Sequence, residues 1–466
     1  MDLRGKKVLV IGAGKSGVAV SRFLSGKGAA VVLADANHPD DSRGEWEQLS
    51  TEGVQIFLGG YPKVERGSFD LVVISPGVPL TVEPARDALQ KGIPVTGELE
   101  LAFLFAKAPI VAITGTNGKT TTTMLIGEIF KNAGRNVLVG GNIGLPLVTE
   151  VEQFGPDDLI VAEVSSFQLE TAVAFKPRVG VILNITPDHL DRHGTMENYA
   201  AAKSKIVARQ DPGDFAVLNS DDLPTAALGG ALRGRIVYFS RQRALPEGVY
   251  VREGKIIARF EQIEEVVCGV NELGIPGAYN VIFIVTVGDN KETIIHKDKI
   301  YIPGGHNLEN ALAAVADTKV MGVGTDRLAE TLRTFKGVSH RLEFVAEING
   351  VRYINDSKGT NPDASIKALE AYKEPIVLIA GGKNKGSDFG LFAEKVKERA
   401  RVLVVLGQSA QLIADAARDR GFKNICYAGD FRESVQLAHR SARPGEIVLL
   451  SPACASWDMF KSYEER

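Results

Sequence analysis

Cysteine is scarce: Cys268, Cys426 and Cys454 are the three in 466 residues. They are scattered, odd in number and without metal-ligand spacing, which argues against a disulfide framework or a zinc site and fits a reducing compartment. Charge bias is nearly absent, with 54 basic against 57 acidic residues and a net charge of −3. Nothing in that balance asks for nucleic acid or an anionic membrane as a partner. No apolar run approaches the ~20 residues of a membrane helix. Met1-Asp2-Leu3-Arg4-Gly5 leads directly into a strand pattern, with no apolar secretion segment. The expected setting is the cytoplasm, without membrane insertion, and the expected state is a monomer. Hydrophobic residues still make up 44% of the chain, ample for folded cores, and the length suggests roughly three domains.

The most informative stretch runs from Ala108 to Thr122. Ile110 to Ile113 supply a short buried strand. Gly115 and Gly118 permit a tight turn, and Met124, Leu125, Ile129 and Phe130 then recur at helical spacing. A helix start carries free amide donors and roughly half a positive charge, so it suits an anion. Lys119 adds a cation for outer phosphates, and the Thr120 hydroxyl can hold magnesium. The usual G-x-x-x-x-G-K-[ST] spacing would need glycine where Ile113 stands; Gly115 comes instead, in the shortened loop T-G-T-N-G-K-T. The alternative is a plain strand-to-helix turn with a surface lysine.

Upstream, residues 1–97 read as a Rossmann-like domain. Strand Lys7–Ile11 meets Gly12-Ala13-Gly14-Lys15-Ser16-Gly17, a helix follows, and strand Ala30–Ala34 ends at Asp35. This G-x-G-x-x-G turn with an acid about 20 positions on is the dinucleotide arrangement. A further strand runs into Ser75-Pro76-Gly77. About 100 residues is small for a six-stranded dinucleotide domain, so a diphosphate with one nucleoside fits better. Glycines serving only helix–strand packing remain the alternative.

Residues 98–337 read as a P-loop-type parallel sheet with a β-rich edge. Strand signals recur at Val137–Val139, Leu159–Ala162, Val179–Ile185 and Ala216–Leu218. Polar residues follow their carboxyl ends, where ligands bind in open α/β sheets: Gly141–Gly144, Glu163–Glu170 and Asn184–His193. Glu163 ends an apolar strand, where a carboxylate needs a partner or a cation; it is a magnesium ligand or a helix-capping acid. His189 is a candidate for a second metal. Lys203, in a helix of small residues, reads by composition as a solvated charge. From Val249 to Tyr301 short alternating segments suggest β structure, with an inserted hairpin between the similar stretches Gly274–Asn280 and Tyr301–Asn307. His306–Asn310 is expected to open a helix over Ala311–Met321. Residues 338–466 read as a second Rossmann-like α/β domain, with strands Val351–Ile354, Pro375–Ala380, Val402–Leu406 and Ile447–Leu450. Arg341 and Lys385 could bind an acidic substrate or phosphate, or be exposed charges.

Taken together, these segments resemble the bacterial Mur ligases, in the superfamily shared with folylpolyglutamate synthetase. The residues that carry the likeness are Gly12–Gly17, Ser75-Pro76-Gly77, Gly115–Thr121, Gly141–Gly144, Glu163–Glu170, Asp188–His193, Lys203, His306–Asn310, His340-Arg341, Asn355–Asn361 and Ser451–Asp458. The closing S-P-A-C-A-S-W-D points to the D-glutamate-adding branch, and there is no D-N-P-R stretch of the diaminopimelate- or lysine-adding branches. The resemblance implies ATP-dependent activation of the carboxylate of UDP-N-acetylmuramoyl-L-alanine as an acyl phosphate, then attack by the amine of D-glutamate. It further implies that Gly115, Thr116, Asn117, Gly118, Lys119, Thr120 and Thr121 hold ATP. Thr120 and Glu163 would hold one magnesium ion; His189 and a carbamylated Lys203 would hold a second. Lys119, Glu163, His189 and Lys203 form the implied catalytic set. Lys15, Ser16, Asp35 and Ser75 would lie by the uridine diphosphate, and Asn142, Ser165 and Gln168 by the muramoyl-alanine. Asn310, Arg341 and Asp356 would contact the nucleotide; Lys358, Thr360, Lys385, Ser456 and Tyr463 would receive D-glutamate. Domain closure would assemble the site. The family pattern is shorter around 274–305, and it continues past Tyr463-Glu464-Glu465-Arg466 through a glycine and a last helix. Competing readings are a sister amide ligase, a UDP-sugar-binding regulator without turnover, and an NAD-dependent dehydrogenase.

Overall fold

A computed structural model describes residues 1–37, 43–260 and 290–466. The chain forms two compact units, Met1–Ile295 with Ala311–Thr331, and His296–Asn310 with Leu332–Arg466. The expected hairpin between Gly274 and Asn290, and Cys268, lie outside the described residues.

The first unit holds two sheets. Strands β1 (Lys7–Ile11), β2 (Ala30–Asp35), β3 (Gln55–Leu58), β4 (Leu71–Ile74) and β5 (Val95–Gly97) form a sheet in the order β3-β2-β1-β4-β5. Every pairing is parallel. Val8 to Ile11 and Leu71 to Ile74 are buried, as expected for strands covered on both faces. Strand order reverses between β1 and β4, so the crevice beyond β1 opens at the glycine loop. There Gly17 is required by space: a Cβ would run into the Gly12 carbonyl.

The second sheet comprises β6 (Ile110–Thr114), β7 (Val137–Gly141), β8 (Leu159–Glu163), β9 (Val179–Ile182), β10 (Phe215–Asn219), β11 (Arg235–Ser240), β12 (Gly248–Arg252), β13 (Lys255–Phe260) and β14 (Asn290–His296). Their order is β14-β13-β12-β11-β10-β9-β6-β8-β7. Pairing is parallel from β7 to β12 and antiparallel between β12 and β13, which realises the expected β-rich edge. Chain order and sheet order differ: β8 lies between β6 and β7, and β9 on the other side of β6. The carboxyl ends of three strands are thereby gathered, with Glu163 opposite both Ile113 and Gly141. The strand expected over Val179–Ile185 stops at Ile182. Ile185 continues the apolar pattern, yet Asn184 and Thr186 turn away to bond the glycine loop.

The second unit is built on β15 (Glu343–Ile348), β16 (Val351–Asn355), β17 (Ile376–Gly381), β18 (Ala400–Leu406), β19 (Ile425–Tyr427) and β20 (Ile447–Leu450), ordered β15-β16-β20-β17-β18-β19. Only β15 runs antiparallel to its neighbour. The helix expected over Ala311–Met321 instead spans Gly305–Val320. His306–Asn310 opens this helix as expected, following Gly304 at φ 97°. No helix among the described residues is long and apolar enough to cross a membrane.

Candidate active site

The β6 strand delivers Gly115 to Gly118 to the start of the helix Lys119–Asn132. Gly118 occupies the left-handed region, φ 86° and ψ −14°, which a side chain disfavours. The loop is braced by the segment after β9. Asn184 Oδ1 accepts from the Asn117 N–H at 2.8 Å, and its amide donates to the Asn117 carbonyl at 3.2 Å. Thr116 Oγ1 accepts from the Thr186 N–H at 3.0 Å and donates to the Thr186 carbonyl at 3.1 Å. The Tyr199 hydroxyl lies 3.3 Å from the same oxygen. Lys119 Nζ folds onto its own loop, donating to the Gly115 and Thr116 carbonyls, both at 2.9 Å. Thr120 and Thr121 are buried in the first helical turn. The loop is thus braced from the segment after β9, with the Lys119 side chain folded against its carbonyls.

Glu163 ends β8 beside this loop and is 2% exposed. Its Oε1 accepts from Asn142 Nδ2 at 2.8 Å, while its Oε2 is buried without a hydrogen-bond partner. An unpartnered carboxylate oxygen in the interior is costly; a cation at that oxygen removes the penalty. Among the described residues no group of three or more His, Cys, Asp and Glu side chains is arranged to hold a metal. A cation on Glu163 and Thr120 would have to draw its other ligands from phosphates and water, which is how magnesium is ordinarily held. The donor set fits that ion.

Composition reads Lys203 as a solvated charge, and the structure overturns that: it is 1% exposed. Its Nζ donates to the Gly115 carbonyl at 2.9 Å and lies 4.7 Å from the centre of the Tyr199 ring. Burial, and then the charge of Lys119, pull its pKa down to about 6. The amine is largely neutral above that pH. Burial pushes the Tyr199 hydroxyl up to about 12. His189 sits at the start of the turn Leu190–His193 with φ 52°. Its Nε2 is 3.5 Å from Asp188 Oδ2, and its ring stands edge-on to Phe167 at 4.8 Å.

Other expected contacts in this unit are engaged with neighbours. Asn142 holds Glu163. Ser165 and Gln168 form a reciprocal capping box at the helix Ser166–Glu170, with Gln168 Oε1 accepting from the Ser165 N–H at 2.9 Å. Asp35 accepts from the Ala13 N–H at 2.8 Å and so shapes the first glycine loop. Ser75 Oγ donates to the Gly12 carbonyl at 3.0 Å. Lys15 is exposed and Ser16 half-buried at the helix start.

In the second unit a separate cluster forms beyond β16 and β20. Asp356 is buried, accepting from Ser451 Oγ at 2.6 Å and from the Leu342 N–H at 3.3 Å. Burial pushes its pKa up to about 7, against the Ser451 hydrogen bond and the charge of Arg341. Arg466 donates to Ser357 Oγ at 2.9 Å and to its carbonyl at 2.7 Å. Lys358 Nζ lies 5.1 Å over Tyr463, and Lys385 Nζ 5.1 Å over Trp457. Thr360 is half-buried and Ser456 buried. Asn310 donates to Asn307 Oδ1 at 3.1 Å. Arg341 Nε is buried without a partner. Sequence reasoning gave Tyr199 and Arg466 no role, and it named Asn184, Thr186 and Ser451 only as members of longer polar stretches.

Known proteins match this architecture throughout. The Mur ligase MurD-like N-terminal domain matches residues 6–97, the Mur ligase middle domain residues 113–317, and the Mur ligase glutamate ligase domain residues 340–454. A UDP-N-acetylmuramoylalanine–D-glutamate ligase of Pelotomaculum thermopropionicum is 67% identical over 465 residues, covering 100% of this chain and 96% of that protein. The enzyme of that name from a Thermoanaerobacter species is 47% identical over 468 residues, covering 100% and 97%. Among solved structures, the UDP-N-acetylmuramate-alanine ligase of Thermotoga maritima aligns with TM-score 0.56 at 20% identity, over 96% of each chain. MurF from Acinetobacter baumannii aligns with TM-score 0.58 at 17% identity, over 95% of this chain and 89% of that one. The structural likenesses show the α/β fold, and the three domain matches with the 67% and 47% identities mean that the chain belongs to the Mur ligase family.

Proposed function

We propose that this protein is an ATP-dependent ligase that joins D-glutamate to UDP-N-acetylmuramoyl-L-alanine in peptidoglycan precursor synthesis. The observation that carries the site chemistry is Glu163: a buried carboxylate with one vacant oxygen, beside a lysine-bearing glycine loop at a helix start. The full-length likeness to D-glutamate ligases supports the choice of substrates. The domain limits we propose are 1–97, 98–337 and 338–466.

A carboxylate is a poor electrophile. In this reading its oxygen attacks the γ-phosphorus of ATP, ADP departs, and an acyl phosphate results. The D-glutamate amine then attacks the acyl carbon, sheds a proton and expels phosphate. Phosphoryl transfer depends chiefly on positioning and charge neutralisation. Gly115–Thr121 cradles the phosphates, and Lys119 swings from its loop carbonyls to the outer ones. Thr120 and Glu163 would hold magnesium, which spreads the charge of the phosphates when bound. A second ion on His189 and a carbamylated Lys203 is the finer proposal. The neutral amine of Lys203 is the form that adds carbon dioxide, and the product carbamate is an anion suited to metal.

Lys15, Ser16, Asp35 and Ser75 are proposed for the uridine diphosphate end, and Asn142, Ser165 and Gln168 for the muramoyl-alanine. Asn310, Arg341 and Asp356 are proposed for the nucleotide; Lys358, Thr360, Lys385, Ser456 and Tyr463 for D-glutamate. A cytoplasmic monomer is proposed, since both nucleotide substrates are intracellular. The test supplies ATP, magnesium and UDP-N-acetylmuramoyl-L-alanine with single amino acids. Phosphate release that requires D-glutamate is expected; release with another acceptor but not with D-glutamate rejects the reading.

A further inference from the structure

Arg192 makes an unusual set of contacts for a residue three positions past His189. Its Nε is 3.2 Å from Glu170 Oε1 and its Nη2 2.6 Å from Oε2, a two-pronged ion pair. Nη2 also donates to the Val78 carbonyl at 3.1 Å, and Nη1 reaches the Gly77 carbonyl at 3.5 Å. The guanidinium lies 4.7 Å over the Phe167 ring. Only 15% of the Arg192 side chain and 17% of Glu170 are exposed.

Each of these partners belongs to a segment with its own task. Gly77 and Val78 follow Ser75, which holds the Gly12 carbonyl. Their turn packs directly on the first glycine loop: a Cβ on Gly12 would meet Ser75 Cβ at 2.8 Å and Val78 Cγ2 at 2.9 Å. Glu170 ends the helix capped by Ser165 and Gln168, and its carbonyl accepts from Lys205 at 2.7 Å, from the helix that carries Lys203. Phe167 abuts His189. One side chain therefore ties the turn packed on the glycine loop of the first sheet to the helix Ser166–Glu170, which itself meets Lys205 and His189 beside the glycine loop of the second.

Arginine is suited to this and lysine is not. A planar fork with five donors can hold a carboxylate by two bonds and still reach two carbonyls, whereas an ammonium is a point charge. We infer that Arg192 is a positioning residue that fixes the separation between the Gly12–Gly17 loop and the reacting groups, so that a nucleotide anchored at one loop aligns the distant carboxylate at the other. The inference rests on the ligase reading of the same site. Its logic is that binding energy from a remote part of a substrate raises the rate only when the framework between anchor and reaction centre is rigid.

The test compares UDP-N-acetylmuramoyl-L-alanine with nucleotide-free N-acetylmuramoyl-L-alanine as acceptors in wild type, Arg192→Lys and Glu170→Gln. For Arg192→Lys, kcat/KM on the full substrate is expected to fall by about 10–100-fold. On the nucleotide-free substrate it should change by no more than about threefold, and KM for ATP and for D-glutamate should hold. Glu170→Gln keeps one acceptor and should show a smaller loss of the same selectivity. Equal losses on both substrates, or no loss, in either folded variant would overturn the role of Arg192. An inactive wild type would instead defeat the ligase reading itself.

Discussion

Two polar clusters, one in each unit, handle buried charge in opposite ways. Around the glycine loop of the first unit, Glu163 keeps one oxygen vacant and Lys203 is held by a single carbonyl. Around β16 and β20, Asp356 has donors on both oxygens, and Ser451 Oγ lies 2.8 Å from Ser365 Oγ, which accepts in turn from the Ala453 N–H. The first cluster leaves Glu163 Oε2 without a protein partner. In the second, the Asp356 carboxylate is fully bonded, while Arg341 Nε is left without a partner. A poorly solvated buried charge is a place for an opposite charge to bind, whereas a bonded one serves as framework.

The largest expected contrast is between activity and stability. Lys119→Ala should abolish turnover, by about 10³-fold or more by analogy with other phosphate-binding cations, while the far-UV spectrum and unfolding midpoint hold. Retained activity would remove the loop from the mechanism. Glu163→Gln should lower kcat by about 10²-fold or more and weaken the magnesium dependence of phosphate release. Without magnesium its unfolding midpoint should match or exceed wild type, because a buried carboxylate with one oxygen lacking a partner has been replaced by a neutral amide. A clear drop in midpoint would mean that Glu163 is already satisfied in the folded protein.

Acid–base behaviour should have opposite signs in the two clusters. Asp356 titrates at about 7 when folded and near its ordinary value, about 4, when unfolded. The folded state therefore holds more protons between those values, and this group's contribution to stability is lost as pH rises from about 4 to 7. Lys203 titrates at about 6 when folded and near 10.4 when unfolded. There the unfolded state holds more protons, so the contribution is present at high pH and lost as pH falls towards 6. Urea unfolding of Asp356→Asn and Lys203→Met across pH should flatten the two slopes separately; slopes of the same sign would contradict the assignment. The smallest effect is expected from Ser451→Ala, which leaves Asp356 Oδ2 without its donor and should cost about 1–2 kcal/mol in unfolding free energy.

How far the sequence revealed this arrangement depends on how local the cause is. The β6 strand, its glycines and Gly-Lys-Thr lie within a dozen residues, and pattern alone exposed them. The three-domain plan was legible for the same reason, since each glycine loop directly follows an apolar strand. Lys203 was not legible. Its helix is rich in alanine, and the carbonyl it meets belongs to Gly115, far away in sequence, so only the fold shows that it is buried. Asn184 and Thr186 were hidden by Ile185, which extends an apolar run although its neighbours leave the sheet. Ser165-x-x-Gln168 carried a readable capping signature, yet the family resemblance directed it towards substrate. The short strands β3 and β19 went unanticipated; neither contains a run of buried residues.

The central claim is that a phosphoryl group passes from ATP to a bound carboxylate. It is tested most directly by placing ¹⁸O in the alanyl carboxylate of UDP-N-acetylmuramoyl-L-alanine and analysing the released phosphate by mass spectrometry. One labelled oxygen in each phosphate is the expected result, because the acyl oxygen leaves with phosphorus when the amine attacks. Unlabelled phosphate accompanying amide formation would contradict the account.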